Sequence, residues 1–171
     1  MMAMVPIMAI GISVIAVTGA SLGAKKFDNI NIIHNYAMKI GMIIVVVMAG
    51  AIFLLAPYIS YFFTYSPETA SFQPFCTDFL RIVSLCLIFI PIGVSSNSIF
   101  KGLGKGLDSL LITLVRAIIL EVVFAYILAV PLGMGQYGVW WGIVIGYALG
   151  AVFAYIWSKR YINRLLSSKK V

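Results

Sequence analysis

The amino-acid sequence predicts an all-α integral membrane protein built as a bundle of five transmembrane helices. Hydrophobic residues make up 63 % of the 171 positions and charged residues only 10 %, whereas a soluble domain is about half apolar and about a quarter charged. The mean hydropathy is +1.09. Five apolar stretches approach or exceed the roughly 20 residues that a spanning helix requires. A water-soluble fold and a disordered chain are therefore both excluded.

The first two predicted helices are nearly free of charge. Helix A carries no charged residue before Lys25, and helix B carries none after Lys39. Neither alternates apolar and polar residues as the strands of a membrane barrel do. The predicted helices A to E cover approximately residues 1–24, 36–63, 79–100, 109–130 and 137–157, followed by a basic tail, residues 158–171. The whole chain, residues 1–171, is predicted to form one membrane domain.

The last three helices carry the polar features. Helix C begins near Arg81 and contains Pro91, which removes a backbone hydrogen bond and predicts a kink. Residues 95–98, Ser-Ser-Asn-Ser, follow that proline, and transporters build binding sites where helices are broken. Ser95 and Asn97 are thus candidates for a substrate or ion pathway. The alternative is that these hydroxyls bond to carbonyls of the preceding turn.

Helix D contains the two deep charges, Arg116 and Glu121. An ionisable residue at membrane depth is costly and points to function. We expect Glu121 to point into the bundle, toward helix C or an internal cavity, where it would carry a proton or bind a cation. The alternative is a protonated, hydrogen-bonded carboxyl group. In an α-helix, residues five apart lie about 140° apart around the axis, so the two charges are predicted not to share a face. Asn97 is expected to reach Arg116 more easily than Glu121.

Helix E has glycines at four-residue spacing. Gly142, Gly146 and Gly150 lie on one helix face, and small residues there let a neighbouring backbone approach closely. This pattern predicts either static packing or a surface on which helices slide.

The distribution of Lys and Arg predicts the topology. The A–B loop, the C–D loop and the tail carry nearly all of them, so these segments are predicted to be cytoplasmic. The amino terminus is then outside and the carboxyl terminus inside, in a multi-pass protein of the plasma membrane. An outside amino terminus with no preceding span suggests that upstream sequence is missing. Topology and anionic lipid explain the positive charge, so nucleic-acid binding is not expected.

Other chemistry finds little support in the sequence. No serine, cysteine or histidine arrangement suggests an enzyme, and no cofactor or metal site is predicted. His34 is assigned to a cytoplasmic loop without a second ligand and is given no role.

Several segments together resemble the multidrug and toxic compound extrusion (MATE) family. They are the helix end and basic loop at 16–26 (AVTGASLGAKK), the loop at 100–108 (FKGLGKGLD), the run 109–116 (SLLITLVR) and the helix start at 138–142 (GVWWG). The resemblance covers nearly the whole chain and lies in the order and spacing of these motifs. It matches the chain to the eighth to twelfth helices of the family's twelve, an incomplete carboxyl lobe.

The resemblance implies a function for the whole assembly. It implies a sodium- or proton-coupled antiporter that exports drugs or metabolites, with the bilayer, a small organic substrate and an amino-terminal lobe as partners. The chain alone is expected to be inactive. The family's acidic positions have no equivalents here, so the resemblance gives Glu121 no role. Two alternatives remain: half of a lipid-linked saccharide flippase, which Arg116 would favour, and a scaffold subunit without transport.

Overall fold

A computed structural model describes residues 4–64 and 70–168 of the chain. In this part the chain is almost entirely helical. The helices are α1 (Val5–Gly23), α2 (Phe27–Phe63), α3 (Gln73–Leu87), α4 (Ile90–Gly102), α5 (Gly106–Leu114), a π-helical segment (Val115–Val122), α6 (Val123–Ala129) and α7 (Gly135–Ser168), with a 3₁₀ turn at Ala70–Phe72.

The described helices agree with an integral membrane bundle. Four of them are long and apolar enough to cross a bilayer, counting α5, the π-helical segment and α6 as one continuous helix. The helices α3 and α4 pass the same test together and would form a fifth span, bent by 43°. The all-α membrane fold predicted from the sequence is therefore confirmed.

Helix ends differ from the prediction at polar segments. Helix α2 begins at Phe27 rather than at residue 36, and α7 continues to Ser168 rather than ending at 157. The extension of α2 contains asparagines, and that of α7 contains Asn, Lys and Arg. A hydropathy criterion excludes such residues from a membrane span, but they are compatible with a helix that projects beyond the bilayer. Residues 158–168 are thus helical, not a tail; residues 1–3, 65–69 and 169–171 lie outside the described part.

The predicted helix C is two helices. The break falls at Ile88 and Phe89, and Pro91 occupies the first turn of α4, where the missing proline N–H removes no helical hydrogen bond. Pro91 packs against α2, because a methyl group at Gly41 would lie 2.9 Å from its Cβ. A bend is therefore present where the sequence predicts a kink, and the proline lies in the first turn of the helix that follows it.

The bundle has one end at which most of the basic residues collect. Here the end of α1, the start of α2, the end of α4 and the extension of α7 share one core cluster: Val14, Ile30, Ala37, Ile99, Leu103 and Ile162. At the other end, Tyr137 donates a hydrogen bond of 2.8 Å to Asp78, and Phe79 packs against Trp140. The loops containing Lys25 and Lys105 and the carboxyl-terminal extension therefore lie at the same end, here called the basic end.

Candidate functional site

The candidate site is centred on the π-helical segment between α5 and α6. Nη1 of Arg116 donates a hydrogen bond to Oε1 of Glu121, and the two form an ion pair. About a quarter of the Arg116 side chain and a fifth of the Glu121 side chain remain exposed. The expectation that these charges would not share a face is wrong. It assumed α-helical geometry, whereas a π-helix bonds residues five apart and so places them on adjacent turns.

The glycines of α7 lie directly against this segment. A methyl group at Gly146 would lie 2.7 Å from Cα of Glu121. One at Gly142 would overlap the backbone of Ala125, and one at Gly150 would overlap the side chain of Arg116. The helix that packs against Glu121 is thus α7, at a separation that only glycine permits.

A cavity of about 170 Å³ lies beside Arg116. Its polar lining comes from Arg116, Tyr147 and Thr113, and the carboxylate of Glu121 is not part of the lining. Cζ of Arg116 lies 4.3 Å from the centre of the Tyr147 ring, a cation–π contact that orients the guanidinium group. The rest of the wall is apolar. It comes from α1, α4, α5 and α7 and from the residues just before α1 and α4: Met4, Ile7, Met8, Phe89, Ile90, Gly93, Val94, Ile112, Ala151 and Ala154.

The polar residues 95–98 of α4 contact different neighbours. Asn97 donates a hydrogen bond of 2.9 Å from Nδ2 to Oγ1 of Thr113, which in turn bonds to the carbonyl of Ser109. The amide therefore reaches the cavity wall through Thr113 and makes no hydrogen bond to Arg116. Its Oδ1 is buried without a partner among the described residues. Ser95 is buried, 1 % exposed, but does not line the cavity.

A second polar cluster, which the sequence analysis did not identify, surrounds His34 near the basic end. The imidazole is fully buried, its Nε2 lies 3.2 Å from Oγ of Ser96 and 3.3 Å from Oγ of Ser158, and its ring stacks on Tyr155. Lys159 donates hydrogen bonds to Oδ1 of both Asn31 and Asn35, at 2.8 and 2.7 Å.

This histidine cluster joins α2, α4 and α7. The sequence analysis assigns His34 to a loop, but the residue lies within α2. Asn31, His34 and Asn35 are three and four residues apart, a spacing that places them on one helix face and could have identified it. The imidazole Nδ1 is buried without a partner among the described residues. The cluster is best understood as a polar connection that holds three helices together.

Comparison with known proteins places this architecture in one family. The MatE family model matches residues 1–127. The inward-facing conformation of a multidrug resistance MATE family transporter of the MOP superfamily matches with a TM-score of 0.94 at 32 % identity, covering 98 % of this chain and 38 % of that one. No curated protein sequence matches the chain.

Two further solved structures show the same fold. An outward-facing conformation of a multidrug resistance MATE family transporter matches with a TM-score of 0.91 at 32 % identity, covering 96 % of this chain and 36 % of that one. A MOP superfamily transporter from Pyrococcus furiosus is described as having a binding pocket of reverse polarity. It matches with a TM-score of 0.92 at 32 % identity, covering 95 % of this chain and 36 % of that one. This chain spans 38 % of the first of these three relatives. By its family model and these structural matches, the chain belongs to the MATE family of membrane transporters.

Proposed function

We propose that this chain forms the carboxyl-terminal lobe of an exporter that moves small organic molecules, drugs or metabolites, in exchange for sodium ions or protons. The observation that carries the proposal is the cavity beside Arg116, which combines an apolar wall with a few oriented polar groups. Small-molecule sites typically have this composition. In this proposal the protein crosses the plasma membrane several times, with its basic end in the cytoplasm.

The lobe needs a partner to complete a transport pathway. Alternating access requires two bodies that rock around a central site, and the chain covers 38 % of a relative in the family. A complementary amino-terminal lobe, on the same or a separate polypeptide, would supply the second body. The fold of this lobe matches both inward-facing and outward-facing relatives, with TM-scores of 0.94 and 0.91, which supports a lobe that moves largely as a unit.

The coupling ion would bind mainly in that second lobe. Glu121 is the one carboxylate at membrane depth in the described helices, and Arg116 already neutralises it. A carboxylate in an ion pair is a poor additional ligand for a cation. By itself the chain is therefore expected to bind substrate weakly and not to transport.

Transport by a reconstituted pair tests this proposal. The chain is combined in proteoliposomes with a MATE-family amino lobe, and efflux of a fluorescent organic cation and of a fluorescent organic anion is followed under sodium and proton gradients. Arg116→Gln should reduce transport about tenfold or more, since a hydrogen bond to a charged group contributes about 1.5–3 kcal/mol.

Arg81→Gln is the matched control. It removes the same charge from an arginine that lies over Phe53, outside the cavity lining, and should leave transport nearly unchanged. Equal losses in both variants, or full transport by the chain alone, would contradict the proposal.

A second candidate, half of a lipid-linked saccharide flippase, is favoured by one observation. The charged group of the cavity wall is Arg116, and no carboxylate among the described residues lines the cavity. A guanidinium group suits the phosphate of such a ligand. In the same proteoliposomes, translocation of a lipid-linked saccharide without efflux of either dye would favour this candidate.

A further inference from the structure

The extension of α7 beyond the membrane carries an open groove at the basic end. The helix has 34 residues and is about 50 Å long, whereas the hydrocarbon core of a bilayer is about 30 Å thick. With Tyr137 and Trp140 near one interface, the other interface falls near Trp157. The groove straddles this level, has a volume of about 370 Å³ and is lined by Phe153, Ile156, Trp157, Arg160, Tyr161 and Arg164.

Two arginines dominate the outer half of this groove. Arg160 and Arg164 are four residues apart, so both guanidinium groups project from one helix face. Both are exposed, and neither has an ion-pair or hydrogen-bond partner within residues 4–64 and 70–168. Nζ of Lys105 lies 5.8 Å from the ring centre of Tyr161, which adds a third positive charge. No described carboxylate lines the groove.

The inner half of the groove is apolar, and its aromatic rings pack against one another. Trp157 packs edge-on against Phe153 at 5.3 Å and against Phe100 at 6.4 Å between ring centres. Phe100 is fully buried and also contacts Tyr161. Phe153 and Ile156 lie deeper than Trp157, towards the hydrocarbon core, so the apolar half begins where the acyl chains begin.

We propose that this groove binds an anionic phospholipid, with its phosphate on Arg160 and Arg164 and an acyl chain along Phe153, Ile156 and Trp157. Guanidinium groups bind phosphate through paired, charge-assisted hydrogen bonds. Basic pockets at the ends of membrane helices bind acidic headgroups in this way. The depth of the apolar half selects a membrane lipid over a soluble acidic segment, because Phe153 lies at acyl-chain level.

Quenching of tryptophan fluorescence by brominated lipid tests the site. The full chain carries Trp140→Phe and Trp141→Phe, so that Trp157 is its one tryptophan, and is reconstituted in nanodiscs containing phosphatidylcholine. Dibrominated phosphatidylglycerol or dibrominated phosphatidylcholine is then added at increasing mole fraction. Phosphatidylglycerol should be preferred roughly tenfold to thirtyfold, since each basic residue near an anionic surface contributes about fivefold.

Two pairs of substitutions separate a site from general surface charge. Arg160→Gln with Arg164→Gln should abolish the preference, whereas Arg160→Lys with Arg164→Lys should retain part of it, because charge remains and the paired geometry is lost. Lys25→Gln with Lys26→Gln removes the same charge from exposed residues of the basic end that do not line the groove, and should leave the preference intact. Circular dichroism verifies that each variant is folded.

Three results would overturn the proposal. The first is equal quenching by the two lipids in the parent chain. The second is a loss of preference in the Lys→Gln control pair as large as that in the Arg→Gln pair. The third is loss of the preference when millimolar inorganic phosphate is added. The last result would identify an aqueous anion, not a lipid, as the ligand. None of these measurements depends on transport, so the lipid site and the proposed function fail separately.

Discussion

Arg116 and Glu121 form an ion pair across one turn of π-helix, in the part of the helix that faces the glycines of α7. The π-helical backbone brings together two charges that an α-helix would hold apart. Since π-turns often occur at functional sites, and since Arg116 also lines the cavity, the pair connects the lobe's packing to its candidate binding site.

The first prediction concerns this ion pair. Arg116→Gln and Glu121→Gln should each destabilise the protein, because each leaves the other charge unpaired at membrane depth. The double variant should be more stable than the sum of the two single destabilisations predicts. The difference is a coupling energy of about 0.5–3 kcal/mol, typical of interacting neighbours. Unfolding in detergent gives the four free energies. Additive effects would show that the pair is not formed in the bilayer-like state.

The second prediction concerns the glycine contact. Gly146→Ala should lower the free energy of unfolding by about 1–3 kcal/mol, because its new methyl group collides with the backbone of Glu121. Gly50→Ala is the matched control. No atom lies within 4 Å of a methyl group placed there, so this change should raise stability by up to about 1 kcal/mol through helix propensity. Thermal unfolding of both variants measures whether each change raises or lowers stability. A change of the same sign in both variants would contradict close packing at Gly146.

The third prediction concerns the histidine cluster. His34→Ala should destabilise the protein by about 2–4 kcal/mol, because it opens a cavity and leaves the buried hydroxyls of Ser96 and Ser158 without the imidazole. Ile32→Ala, at an exposed position of the same helix, should change stability much less. The free energy of unfolding in detergent is the measurement. Comparable effects of the two substitutions would remove the structural role assigned to His34.

The fourth prediction concerns topology. A reporter fused after Ser66 should lie outside the cell and one fused at Lys170 inside, because the basic end is expected to face the cytoplasm. Both fusion points lie outside the described residues, so the reporters do not interrupt a described helix. Alkaline phosphatase and green fluorescent protein fusions report the two compartments. Reporters on the same side would refute an odd number of spans between the two positions.

Several properties of this protein follow from its sequence alone. The membrane fold class and the approximate helix positions are predictable because hydropathy is a sum over consecutive residues. The glycine spacing on α7 is equally local: Gly142, Gly146 and Gly150 share a face of any regular α-helix. Family membership was also accessible, since the order and spacing of motifs such as GVWWG at 138–142 survive without a three-dimensional structure.

The tertiary structure decided which polar groups meet. The pairing of Arg116 with Glu121 depends on a switch from α- to π-helical hydrogen bonding, which composition and periodicity do not reveal. His34 meets Ser96 and Ser158 across 62 and 124 positions of sequence, so its environment exists only once three helices pack. Contacts of this kind depend on helix rotation and separation, and these are set by all the packed side chains together rather than by any one segment.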